Sequence, residues 1–424
     1  MNSRRSSGLA PINRRLFKRA LLLASLILIL VSVILDLREV GRYIPSRWSD
    51  SYSPWYASQS ALHGRDPYSS EVTRDIQIWF YGHTLDSDHP EFDVQAFVYP
   101  ATAIPLFAIT TWMPWKTFRI MFFLLAPPLV FMGAGYWANR TGVARSRELQ
   151  WAIALIATAS VPSFWGIQVM QPTVLVFVGI TGVVALLSMD HYALAGAVLA
   201  LATAKPNLVF ILSVWLLIVM IRQRRWRFAA GFGIVFTTLL IFAEFLARDW
   251  AQRWYHAVVS YSHQKPSIFV YLFGRYASAA LVVTIVLGVT ALYRLGAPHQ
   301  QSREFSAAVS LILSLTVCII PNGPGMVYNQ ILLIPPMFYL ASASARSSIF
   351  HVLRAVAIVF AWFTVASVPI SVALILHYRS SVWAVQLPYK ILPLPISVLA
   401  AAYLGCREVV THPAEADPAC DQSD

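Results

Sequence analysis

FVYPATAIPLFAITTWM, residues 97–113, is the stretch whose reading decides the topology, because counting it as a membrane span or not inverts everything before it. Pro100 and Pro105 interrupt its helical ladder, since proline has no backbone N–H and clashes with the carbonyl one turn back. The charges on either side point the same way. Arg222, Arg224, Arg225 and Arg227 form the densest basic loop, and loops rich in Lys and Arg stay in the cytoplasm. Counting helices back from there puts Arg140, Arg145 and Arg147 inside as well, and the N-terminal Arg4, Arg5, Arg14, Arg15, Lys18 and Arg19 join them only if 97–113 does not cross. An interfacial or re-entrant helix on the outer leaflet is therefore expected.

Working outward, the composition places the whole chain in a bilayer. Of 424 residues, 57% are hydrophobic and only 12% charged, with mean hydropathy +0.60, whereas soluble domains carry about 25% charged residues. Spans are expected near 17–37, 117–137, 149–165, 173–189, 190–204, 207–221, 228–246, 268–293, 306–321, 327–343, 350–376 and 385–404, about twelve in all. The basic N-terminus and apolar run 20–35 mimic a signal peptide, but Asp36-Leu37-Arg38-Glu39 follows in place of a small-residue cleavage site, so this run reads as an uncleaved first helix with a cytoplasmic N-terminus. The net charge of +12 does not indicate nucleic acid, because the arginines sit in short clusters between apolar runs and fix topology. Cys318, Cys406 and Cys420 have neither metal nor redox spacing. Neither a linker nor a fixed-period repeat appears. The expectation is one integral all-α polytopic membrane domain over 1–424, with an extracytoplasmic loop at 38–116, helices over 117–404 and a cytoplasmic tail at 405–424.

Chemistry that needs carboxylates has few places to occur. Half of the 20 Asp and Glu lie between Asp36 and Asp93. Within that loop, residues 48–68 read WSDSYSPWYASQSALHGRDPY, in which a helix is expected from about Ser53-Pro54 and Gly64 with Pro67 would end it. Tyr52, Trp55 and Tyr56 share compatible faces of that helix and are candidates for acceptor binding. Asp50 is either a cap for the helix or a general base at the water–membrane interface, with Asp66 the second-choice acid. His83, Asp86, Asp88, His89, Glu91 and Asp93 form a dense polar cluster, but their spacing matches no known site type and the cluster reads as a solvated loop. Glu244 is accounted for by helix packing or by pairing with Arg248. Trp250, Trp254 and Tyr255 fit an aromatic belt at the headgroups.

Taken in order, Asp50 with its aromatic helix and Gly64-Arg65-Asp66-Pro67-Tyr68, then Phe97-Val98-Tyr99-Pro100, Gln171 and Ala204-Lys205-Pro206 resemble glycosyltransferase family 87. These are membrane enzymes of the GT-C superfamily that take a sugar from a polyprenyl phosphate carrier. The resemblance covers most of 40–340 and departs in places. Tyr99-Pro100-Ala101 replaces a double proline, Met170-Gln171-Pro172 stands where Gly-Gln-x-Asn is usual, and Tyr328-Asn329 where histidine is frequent.

The resemblance implies an inverting transferase of GT-C type in the cytoplasmic membrane, its active site extracytoplasmic. The donor would be a polyprenyl phosphate hexose, mannose by resemblance, and the acceptor a glycolipid or glycan. Asp50 would be the base. Lys205, an ammonium expensive to bury beside apolar helices, would meet the donor phosphate. Gln171, Tyr99, Tyr328, Asn329 and Arg275 are the other donor-binding candidates. The resemblance requires no cofactor and no metal, because one cationic side chain can neutralise a lipid monophosphate. Two rival readings remain open: a transporter or lipid flippase, which would show inverted repeats and charged broken helices at mid-membrane, and a glycan ligase using a polyprenyl diphosphate, which would need more cations.

Overall fold

The computed structural model describes residues 49–85, 94–262, 268–320, 324–343, 348–359 and 393–411, and among them every regular element is helical. The expected first span at 17–37, most of 350–376, the start of 385–404 and the acidic cluster at 86–93 lie outside the described residues.

Two helices form a roof before the first long one. Helix α1 (Tyr52–Leu62) carries Pro54 in its first turn, where the missing N–H costs nothing, and gives way to Gly64 at φ +76°. Helix α2 (Ser70–Tyr81) is capped by Ser69, whose side chain accepts from the Val72 amide, and closes on left-handed Gly82. Its buried Val72, Ile76 and Phe80 lie at helical spacing and turn against α1. Tyr52 stacks on Trp79 with centroids 3.5 Å apart and meets Trp115 edge-on at 5.1 Å.

Residues 97–113 form no continuous helix. An extended segment through Pro100 leads to a 3-10 turn at Ala101–Ala103, the short α3 (Ile104–Ala108) and further turns to Met113. Then come α4 (Trp115–Arg140), α5 (Arg147–Thr158) and α6 (Val161–Gln168), the last two bent 55° from one another, α7 (Thr173–Ser188), α8 (Tyr192–Ala202), α9 (Pro206–Arg222), α10 (Trp226–Leu246) and α11 (Trp250–Ser262). The second half holds α12 (Ile268–Phe273), a 3-10 turn at Gly274–Tyr276, α13 (Ala277–Leu295), α14 (Arg303–Ile319), a 3-10 run at Pro324–Leu333, α15 (Ile334–Ser342), α16 (Ser348–Val359) and α17 (Pro393–Thr411).

Four stretches are long and apolar enough to cross a bilayer: α4, α10, Gly274–Leu295 and Leu394–Thr411, with the bent α5–α6 pair as a fifth if it is one span. This is a membrane protein. The spans expected near 173, 190 and 207 are apolar helices of 16, 11 and 17 residues, shorter than the about 20 residues a perpendicular crossing takes. The span expected at 327–343 is broken rather than continuous. Pro335 and Pro336 begin α15 and cannot donate to the carbonyls of a preceding turn, and the chain before them winds as a ten-residue 3-10 run.

At the centre stands α14, buried from Phe305 through Cys318 without interruption, including the hydroxyl face of Ser306, Ser310 and Ser314, of which Ser314 bonds back to the Ser310 carbonyl. Helices α10 and α13 instead present mostly exposed apolar faces, suited to lipid. Helices α8 and α10 pack closely: a Cβ on Gly196 would fall 2.1 Å from the Phe228 carbonyl oxygen and one on Gly231 would fall 2.0 Å from that of Ala193. Backbones meet there because both positions are glycine, the small-residue packing that apolar solvent favours.

Candidate active site

The turn between α6 and α7 is the node of the site. Met170 sits at φ +51°, a left-handed backbone that costs a non-glycine residue about 1–2 kcal/mol, and the Gln171 amide donates to the Gly166 carbonyl at 2.7 Å. This bonded turn closes α6 and leads into α7. The Asp50 loop is strapped onto the same turn: the Asp50 amide donates to the Val169 carbonyl at 2.8 Å and the Ser51 hydroxyl donates to that of Met170.

One carboxamide then joins three segments. Gln171 Nε2 donates to Asp50 Oδ2 at 2.5 Å, and Gln171 Oε1 accepts from Lys205 Nζ at 2.6 Å and from the Tyr99 hydroxyl at 3.4 Å. Lys205 precedes α9, with Pro206 filling the first turn. Its ammonium also donates to Thr173 Oγ1 at 2.7 Å and lies 5.4 Å from the centre of the Tyr328 ring. The Thr173 hydroxyl in turn donates a hydrogen bond to Asn329 Oδ1 at 3.0 Å. Tyr328 is held by Val169 and Trp165 and by the close approach allowed at Gly166, where a Cβ would meet Tyr328 Cβ at 3.4 Å.

The electrostatics follow from this arrangement. Lys205 lies in the turn between α8 and α9, and burial lowers its ammonium from the ordinary lysine range to about 7, against the opposing pull of the Asp50 charge. Burial, and then the Asp50 charge, raise the Tyr99 phenol well above its ordinary range, so it is a hydrogen-bond donor. Helices α7 and α9 both start beside the ammonium, neither with a side-chain cap. Their positive dipole ends therefore add to its charge and favour an anion.

Five donor-site candidates, Tyr99, Gln171, Lys205, Tyr328 and Asn329, thus come together with Asp50. Arg275 does not join them: its guanidinium is exposed, bonded to the Tyr276 hydroxyl at 2.6 Å and stacked on that ring. The acceptor candidates Tyr52 and Trp55 are each only 6% exposed and sit within the aromatic roof. Tyr56 donates to Asp75 at 2.9 Å and accepts from Arg65. The cap position of α1 is occupied by Ser51, one residue beyond Asp50.

The rival acids are committed elsewhere. Asp66 pairs with Arg253 of α11 at 2.8 Å and accepts from the Tyr68 amide. Burial would raise the Asp75 carboxyl, but the Arg65 and Tyr56 hydrogen bonds outweigh it and pull Asp75 below the ordinary carboxylate range. Glu244 accepts from the Asp249 amide at 3.2 Å and ends α10 rather than pairing with Arg248. Trp254 donates to the Val98 carbonyl at 3.0 Å and so ties α11 to the segment bearing Tyr99.

The residue that sequence reasoning passed over is Thr173, which reads as the first apolar position of a span. Its only signal is its place two residues beyond Gln171.

Neither the curated proteins nor the solved structures gave a match. A family model does match, over residues 97–321, a stretch that carries Tyr99, Gln171 and Lys205, begins after Asp50 and ends before Tyr328. With more than half its length so matched, the chain belongs to glycosyltransferase family 87 and is a membrane glycosyltransferase.

Proposed function

We propose that the chain moves a hexose, mannose by family resemblance, from a polyprenyl phosphate carrier to a glycolipid or glycan acceptor on the extracytoplasmic side of the cytoplasmic membrane. The observation that carries this reading is that Asp50 and Lys205, a base and a cation from distant segments, meet at the carboxamide of Gln171.

The donor phosphate would sit against Lys205. Two of the three ammonium protons go to Gln171 and Thr173, which leaves the third for a phosphate oxygen. The acceptor hydroxyl would give its proton to the Asp50 carboxylate as its oxygen bonds to the anomeric carbon. The bond from that carbon to the phosphate oxygen breaks, its electron pair leaves with the polyprenyl phosphate, and Lys205 with the starts of α7 and α9 stabilises the added charge. Attack opposite the leaving group turns a β-linked donor into an α product. A transporter would also use broken helices, of which α5–α6 is one, but family membership favours transfer over transport.

The test is transfer from radiolabelled polyprenyl phosphate mannose to an extracted lipid acceptor, using membranes that hold wild type or Asp50→Asn. Loss of a general base lowers the rate about 10²–10⁴-fold. Full transfer by Asp50→Asn would remove Asp50 as the base.

A further inference from the structure

Gln171 stands between two opposite charges, and its orientation has only one chemically sensible solution. Its oxygen faces an ammonium and its NH2 faces a carboxylate. Reversed, the amide would set donor against donor and acceptor against acceptor.

We infer that Gln171 is a positioning residue, not a donor contact, and that it makes the basicity of Asp50 depend on whether an anion occupies Lys205. This rests on the reading of Asp50 as base and Lys205 as phosphate partner given above. Oε1 already accepts from Lys205 and Tyr99 and Nε2 already donates to Asp50, so the bonds of the carboxamide lie mainly within the protein and one N–H hydrogen is left over.

The physical argument runs through polarisation. A hydrogen bond from an uncompensated ammonium draws electron density toward Oε1 and makes Nε2–H a stronger donor, as linked hydrogen bonds reinforce one another. A stronger bond to the ionised carboxylate favours that form, so without donor Asp50 is ionised and weakly basic. When a phosphate anion shares the Lys205 charge, the polarisation relaxes and Asp50 holds a proton more tightly. The acceptor hydroxyl thus meets the stronger base only once the donor is in place.

Among the described residues, Lys205 before α9 and Tyr99 in the segment before the Ala101–Ala103 turn feel the Asp50 charge. Tyr99 stays protonated throughout the working range and does not enter the balance. Its 3.4 Å bond to Gln171 Oε1 is weaker than that of Lys205 at 2.6 Å.

The experiment compares pH profiles of purified full-length protein with polyprenyl phosphate mannose and a lipid acceptor. The acid limb of kcat/KM for donor reports the enzyme without donor, and that of kcat reports the loaded complex. In wild type the limb of kcat should lie at higher pH, and coincidence of the two limbs overturns the inference with no variant needed. Gln171→Glu should raise both limbs by a pH unit or more, because two carboxylates facing each other share a proton. Gln171→Met should shrink the gap between them while keeping the direct charge effect. If both variants instead raise donor KM and leave the limbs at their wild-type positions, Gln171 is a donor contact and the inference fails. Asp50→Asn in the same assay separates the two levels: full activity there removes the base itself, whatever Gln171 does.

Discussion

Asp50 and Lys205 bond to opposite ends of a single carboxamide, with 2.5 Å from Gln171 Nε2 to the carboxylate and 2.6 Å from Lys205 Nζ to Gln171 Oε1. The two charges are bridged by one neutral amide, which bonds to each of them.

The lowered Lys205 ammonium gives donor use an alkaline limit. Below about 7 the group is charged, and above that the donor-free protein carries a neutral amine. The kcat/KM for donor should therefore fall about tenfold per pH unit above the transition, which is one proton lost per site. Lys205→Arg stays charged and should lose this limb even if its maximal rate is lower. A pH series on both proteins decides it, and an unchanged limb in the Arg variant would assign the titration to another group.

Thr173 is one of two neutral acceptors for Lys205, oriented by its own bond to Asn329. Thr173→Val keeps the shape and removes the hydroxyl. A hydrogen bond of this kind contributes about 1 kcal/mol or more, so donor KM should rise roughly fivefold, whereas Thr173→Ser should stay near wild type. Steady-state kinetics with varied donor would show whether the hydroxyl or only the volume matters.

Met170 combines a left-handed backbone with a fully buried side chain. Truncation to Ala leaves the backbone strain and adds a cavity, while Gly removes the strain. Met170→Gly should therefore melt above Met170→Ala, by about 1 kcal/mol in stability, although both lose core contacts. Thermal unfolding in detergent compares the two, and a lower melting point for Gly would show that the turn is unstrained.

The α8–α10 contact depends on having no Cβ at Gly196 and Gly231. Either residue changed to Leu should force the helices apart and abolish recovery of folded protein. By contrast, Arg253→Ala breaks an ion pair whose side chains are 41% and 35% exposed, and exposed pairs contribute only about 0–1 kcal/mol. Its melting point should move by a few degrees at most. Size-exclusion profiles and melting curves for the three variants test this ranking.

Much was legible in the residues alone. Apolar runs mark the helices, though among the described residues only four or five of the about twelve expected spans are long and apolar enough to cross; Pro100 and Pro105 mark the stretch that is not a continuous helix, and Gly64 marks the end of α1. The concentration of acids before residue 94 directs attention to the segment that holds Asp50. Thr173 was hidden because a threonine at the start of an apolar run has no pattern of its own. Arg275 was named as a donor-binding candidate, and nothing local shows that its guanidinium turns to the neighbouring Tyr276.

The sequence by itself determined a membrane protein, its apolar helices and the short list of polar residues able to do chemistry, since hydropathy and proline act locally. Only the tertiary structure decided which of those residues share a site. A hydrogen bond between Asp50 and Gln171, or between Lys205 and Thr173, depends on how the α6–α7 turn meets the starts of α1 and α9, and that long-range geometry leaves no periodic trace in the chain.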